Sequence, residues 1–279
     1  FFKNGISVTC IAKESTAEII AQEGIRLQSA AFGDFVAWPN IVTSLDTKPD
    51  LLFITTKAIT LPEALKRVKP ANAADAIIIP LLNGIEHMGL LRSIYGKNVI
   101  AASIGSVELK KNSVNHIVHS TPSANIELAS DGNIPKSVLE KIADFISVTG
   151  IRVKLLESEA EVFWGKLVRL NAIACTTSAA RQPVGFIRTD ASWRISLVNC
   201  VKEAAAVASA EGVKIDPDAV MAQIDVLPPG LGTSMQRDII AGKHSEIDAI
   251  AGAVIRSGAR HGILCPTIEG LVEKINSNI

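Results

Sequence analysis

In the first half of the chain, apolar positions come in short continuous runs. Residues 50–56 (DLLFITT) and 76–82 (AIIIPLL) are unbroken stretches rich in β-branched side chains, and residues 7–12 and 98–104 read the same way. Between them, residues 15–22 and 61–68 have helical spacing, with stops at Gly24 and at Asn83-Gly84. Strands that are apolar throughout are covered on both faces, and their alternation with helices predicts a parallel sheet. Residues 107–155 have another texture. They predict antiparallel strands around 116–119 and 125–128, a helix over 136–147 and a strand over 151–155.

From residue 157 onward the strand signals vanish. Helical periodicity runs over 158–180, 191–211, 217–224, 246–261 and 266–275, with a short helix beginning near Ser234. Gly212 ends one of these helices, and Pro266 suits the first turn of another. The pattern therefore predicts an α/β chain, with a parallel-sheet domain over residues 1–157 and an all-helical domain over 158–279. The opening FFKN reads as the end of a helix and Gly5 as a turn. A strand and most of a helix are accordingly expected ahead of Phe1, since a sheet without its first strand leaves unpaired edges.

Composition narrows the function classes. Lys plus Arg and Asp plus Glu each total 28, so the net charge is zero and a general nucleic-acid binder is disfavoured. Aromatic residues make up only 4%, which disfavours a base-stacking platform. No apolar run is long enough for a membrane-spanning helix. The four cysteines are scattered and lack a C-x-x-C pair, so free thiols in a reducing, cytoplasmic setting are expected. The five histidines have no metal-ligand spacing, and no metal site is expected. The Ala- and Val-rich helical half suits a homodimer face, although burial in its own core explains the same composition.

A few polar residues stand where chemistry is possible. Lys166 lies in VFWGKLV, and three of its helical neighbours, Val162, Phe163 and Leu170, are apolar. Burial lowers a lysine pKa and readies a proton donor, while a carboxylate nearby works the other way. A lysine whose stem snorkels over apolar surface fits the same pattern. Glu246, in HSEID, reads either as a site carboxylate or as an acidic first-turn residue behind a Ser245 cap. Ser234 reads as a helix cap or as an anion-binding hydroxyl at a helix N-terminus. Asn83 and Lys57 follow the ends of parallel strands, the rim where open α/β sheets bind ligands, though a turn and a solvated strand end look alike. Lys13 ends the strand over 7–12. If that strand is the second of a dinucleotide fold, a basic residue there accommodates the 2′-phosphate of NADPH.

In their order, LLFITTKA with Lys57, PLLNG with Asn83, FWGKL with Lys166, TSM with Ser234 and HSEID with Glu246 resemble the ketopantoate reductase family along nearly the whole chain. The resemblance implies a Rossmann-like domain followed by a helical one. It implies NADPH-dependent reduction of ketopantoate to pantoate, a step toward pantothenate and coenzyme A. In that scheme Lys166 is the general acid. Glu246 binds substrate and orients Lys166, Asn83 positions nicotinamide and substrate, and Ser234 holds the substrate carboxylate. Lys57 and Lys13 serve the cofactor. With Asn83 drawn from the first domain and the other substrate residues from the second, modest domain closure is expected.

Two departures from the family pattern stand out. The G-x-G-x-x-G segment that opens the family is not in this sequence. The family's asparagine four residues after the catalytic lysine is replaced by Leu170, with Asn171 next to it as the alternative substrate contact. A one-residue shift turns a helical side chain by about 100°, so Asn171 would need a helix distortion to reach the substrate. Two alternatives therefore stay open: reduction of another small 2-oxo acid, and a non-catalytic member that binds a nucleotide or small acid.

Overall fold

The computed structural model describes residues 1–105 and 107–277. They form two compact units. The first comprises Phe1–Thr56, Thr60–Leu81 and Met88–Val162, and the second Lys57–Ile59, Leu82–His87 and Phe163–Ile279. The architecture is α/β, with a Rossmann-like parallel-stranded part followed by a helical part.

In the first unit, Thr9–Ile11 pairs in parallel with Asn40–Val42, and Leu51–Ile54 pairs in parallel with Ile77–Pro80. Among the described residues these two pairs share no ladder. Helix Glu14–Glu23 follows Thr9–Ile11 and stops at Gly24, whose φ is +69°. The expected strand over 98–104 begins later, at Ala101, after a short helical turn. Ala101–Gly105 runs antiparallel to Asn125–Ala129, which is parallel to Arg152–Leu155 on its other side.

Helix Lys136–Ser147 buries Leu139, Ile142 and Ile146, a stripe at helical spacing. That stripe joins Ile79, Ile100, Ala102, Ile126 and Leu128 in one apolar cluster. Burial of each large aliphatic side chain contributes about 1.5–3 kcal/mol. A second, four-stranded sheet was not expected in full. It orders Phe35–Ala37, Ile25–Ser29, His116–His119 and Leu109–Ser113. Its edge strand, LKKNS, is exposed throughout, so no apolar alternation marks it in the sequence.

The second unit is helical. Helix Ala191–Ala210 is capped by Asp190, whose carboxylate accepts from the Ser192 and Trp193 amides. It buries Leu197, Cys200, Val201, Ala204, Ala205, Val207 and Ala208, as a central helix does. Pro266 opens the helix Pro266–Asn276, and the Glu203 carboxylate accepts from the Thr267 and Ile268 amides there. All four cysteines are free thiols, and burial pushes the Cys175 thiol up to about 12. No helix among the described residues is long and apolar enough to cross a membrane.

Candidate functional site

Lys57, Asn83, Lys166, Ser234 and Glu246 all belong to the second unit. The strand-end segments Lys57–Ile59 and Leu82–His87 group with the helical half, so the site does not take Asn83 from one compact unit and Lys166 from another.

The site starts where the strand Ile77–Pro80 runs out into Leu82-Asn83-Gly84. Gly84 has φ +82°, and a Cβ there would lie 2.2 Å from the carbonyl oxygen of Ala249. Only glycine combines that backbone angle with that approach. The tight contact brings the Asn83 loop against the turn that follows Glu246.

Glu246 is 4% exposed. Its Oε1 accepts from the Ala58 amide at 3.1 Å, and its Oε2 accepts from Asn83 Nδ2 at 3.0 Å. Asn83 Oδ1 in turn accepts from Lys166 Nζ at 3.0 Å. A carboxylate only accepts and an ammonium only donates, so the amide between them has one satisfying orientation. Asn83 thus links the two charged residues that sequence reasoning paired directly.

The expected helix over 246–261 does not begin at Glu246. Asp248–Gly252 forms a single π-helical turn, and the regular helix is Ala253–Arg260. Ser245 is not the cap of that segment, whose N-cap residue is Ile247 and makes no side-chain cap. Insertion of a π turn shifts the side chains before it around the axis, and such turns concentrate at functional sites.

His87 carries little signal in the sequence. It is 7% exposed, and neither ring nitrogen has a hydrogen-bond partner. Its ring meets Phe163 edge-on at 5.7 Å, and Phe163 stands one helical turn before Lys166. Burial first, and the Lys166 charge second, lower its pKa to about 4. The imidazole is therefore neutral near pH 7. The only signal was a histidine heading the apolar segment HMGLL, four residues after Asn83.

The remaining candidates sit elsewhere around this frame. Lys57 forms an ion pair with Asp238 Oδ2 at 2.5 Å, a partner not anticipated from sequence. Asp238 lies on the helix Ser234–Ile240, which is capped by Thr233, not Ser234. The Thr233 hydroxyl accepts from the Gln236 amide at 3.1 Å and leaves Ser234 exposed in the first turn.

Asn171 is fully buried. Its Oδ1 accepts from Cys175 Sγ at 3.4 Å, and its Nδ2 has no hydrogen-bond partner. Helix Glu159–Ala180 is continuous, so the distortion that would turn Asn171 toward the Lys166 side is absent. Five residues place Asn171 roughly 140° around the axis from Lys166, whereas Leu170 stays within about 40°. Lys13 lies in the first unit as the N-cap residue of helix Glu14–Glu23, with an exposed side chain. No cluster of His, Cys, Asp or Glu suited to a metal ion occurs among the described residues.

Comparison with known proteins agrees with this architecture. The family profile for ketopantoate reductase PanE/ApbA matches residues 1–132, and that for its C-terminal part matches residues 160–278. The uncharacterized oxidoreductase YkpB of Bacillus subtilis is 23% identical over 274 residues, covering 96% of this chain and 89% of that protein. The 2-dehydropantoate 2-reductase of Caulobacter vibrioides is 23% identical over 265 residues, covering 88% and 83%. Among solved structures, a PanE/ApbA family ketopantoate reductase from Ralstonia eutropha superposes with a TM-score of 0.86 at 25% identity, covering 99% of this chain and 92% of that one. D-mandelate dehydrogenase, solved with NADH and anilino(oxo)acetate, superposes with a TM-score of 0.89 at 20% identity, covering 99% and 92%. With both family profiles matched in order along its length, the chain belongs to the ketopantoate reductase family.

Proposed function

We propose that this protein is a nicotinamide-dependent reductase of a small 2-oxo acid, with ketopantoate as substrate and NADPH as reductant. The observation that carries the reading is the hydrogen-bonded chain Glu246–Asn83–Lys166. The reaction joins ketopantoate, NADPH and one proton to give pantoate and NADP⁺. When bound, the reduced nicotinamide supplies the hydride that the carbonyl carbon accepts.

The chain's own residues supply the rest. Lys166 Nζ carries the proton that the carbonyl oxygen takes as it becomes an alcohol. Asn83, its orientation set by Glu246, holds the ammonium in place. General acid catalysis of this kind is worth about 10²–10⁴-fold. Ser234, exposed in the first turn of its helix, binds the substrate carboxylate through its hydroxyl. Asn171 has a buried, unpartnered amide nitrogen and is a weaker substrate contact than Leu170, whose face follows that of Lys166.

The residues present fit the cofactor at its adenosine end. Lys13 is an exposed ammonium at the end of a parallel strand and the start of a helix, a donor set suited to a phosphate. In that reading Lys13 would hold the 2′-phosphate of the cofactor.

Leu170 favours a second reading within the same chemistry, a 2-oxo acid with a more apolar substituent. The likeness to D-mandelate dehydrogenase supports the same direction. A panel of 2-oxo acids, followed by the absorbance of NADPH, separates the two. The highest kcat/KM with ketopantoate supports the first reading, and a clear preference for an aryl or branched 2-oxo acid supports the second. No oxidation with any member rejects both.

A further inference from the structure

Three contacts join the Asn83 loop to the segment that bears Glu246. Asn83 Nδ2 donates to Glu246, Gly84 abuts the Ala249 carbonyl, and Glu86 meets Arg256. The last is a two-pronged fork: Arg256 Nε donates to Glu86 Oε1 at 2.8 Å, and Nη2 donates to Oε2 at 2.6 Å. The same guanidinium reaches the π turn. Its Nη1 donates to Asp248 Oδ1 at 2.7 Å, and its Nη2 to the Asp248 carbonyl at 3.1 Å. Glu86 first and Asp248 second raise the Arg256 pKa further above the usual guanidinium range. Gly252 leaves room for this arrangement. A Cβ there would lie 2.6 Å from Asp248 Oδ1 and 2.8 Å from Arg256 Nη1.

Exposed ion pairs add little stability by themselves, so the geometry needs another explanation. An arginine fork is directional, and here it ties together two segments that are far apart in sequence. Glu86 follows Asn83 by one short turn, and Asp248 follows Glu246 by two residues. A π turn lacks the regular i to i−4 ladder, so it benefits from an external tie.

We propose that Arg256 is a positioning residue that clamps the Asn83 loop to the Glu246 turn and thereby sets the alignment of Lys166. The inference deepens the proposed function and rests on it for its catalytic consequence. Arg256 itself touches neither substrate nor cofactor in this scheme. Lysine in its place keeps the charge and loses the fork.

The test compares Arg256→Ala, Arg256→Lys, Glu86→Ala and the double variant Arg256→Ala/Glu86→Ala in the full chain. NADPH oxidation with ketopantoate gives kcat and KM. Hydrogen exchange without ligand reports on residues 82–87 and 246–252. The clamp predicts a kcat lower by about tenfold or more in Arg256→Ala, with a smaller change in the KM for NADPH. Arg256→Lys recovers only part of the loss, the double variant is no worse than the worse single one, and both segments exchange faster. An unchanged kcat per folded molecule, independent losses that multiply in the double variant, or unchanged exchange would each overturn it. Lys166→Ala, run in parallel, separates the two claims. Retained turnover there sinks the proposed mechanism, and the exchange data then decide on the clamp alone.

Discussion

The apolar cluster of the first unit and the polar frame of the second follow opposite rules. Around Ile79, Ile100 and Leu128, side chains are buried because they are apolar, and the helix stripe Leu139, Ile142 and Ile146 meets them at ordinary spacing. Around Lys166 buried polar groups stand among the apolar ones. Glu246 is buried with both oxygens occupied, His87 is buried with neither nitrogen occupied, and Gly84 stands where any side chain would collide. The first arrangement follows from stability alone. The second costs stability, because a buried polar group without a partner is destabilising by about 1–3 kcal/mol. Departures of this kind concentrate where function sets the sequence.

The contrast breaks most sharply on substitution. Leu128→Ala removes a fully buried side chain from the cluster, and about 2–5 kcal/mol of stability should go with it. Denaturant melts would show the loss, while kcat of the remaining folded enzyme stays unchanged. A fall in kcat without a fall in stability would show that the first-unit cluster is part of the catalytic machinery.

His87 gives the next largest effect, through pH. Its folded pKa is lowered to about 4, so the unfolded chain takes up the proton more readily. The stability from keeping this ring neutral is complete above about pH 6.5 and is lost as pH falls toward 4, by about 3 kcal/mol in all. His87→Leu should flatten that part of the stability–pH curve. An unchanged slope between pH 6.5 and 4 would show that other groups carry it.

Glu246→Gln is the mirror image of Leu128→Ala. The carboxamide keeps the shape but removes the acceptor-only character that orients Asn83. Turnover should fall about ten- to a hundredfold, with a melting temperature close to that of the parent. A large loss of stability with normal turnover would make Glu246 a structural residue.

The same division explains what the sequence could show. The helix Lys136–Ser147 and the strand Ile77–Pro80 were legible because their apolar periodicity is local and strong. The strand Leu109–Ser113 has no such pattern, since every residue in it is exposed. At the site, Lys166 and Glu246 stood out as a charge within an apolar helix and an acidic residue before an apolar one. Their link through Asn83 did not, because it depends on a contact between residues 83 and 246 that only the fold creates. The π turn looks like regular helix in the sequence, since DAIAG carries helical composition and the extra residue has no compositional mark. Thr233, not Ser234, caps its helix, and adjacent hydroxyl residues cannot be told apart for that role from sequence.

The central claim is that Lys166, held by Asn83 and Glu246, delivers the proton. Steady-state reduction of ketopantoate by NADPH, comparing the parent with Lys166→Ala at matched folded fraction, tests it most directly. The account predicts a kcat lower by about a hundredfold or more, with melting temperature preserved. Equal turnover by the two proteins would contradict it.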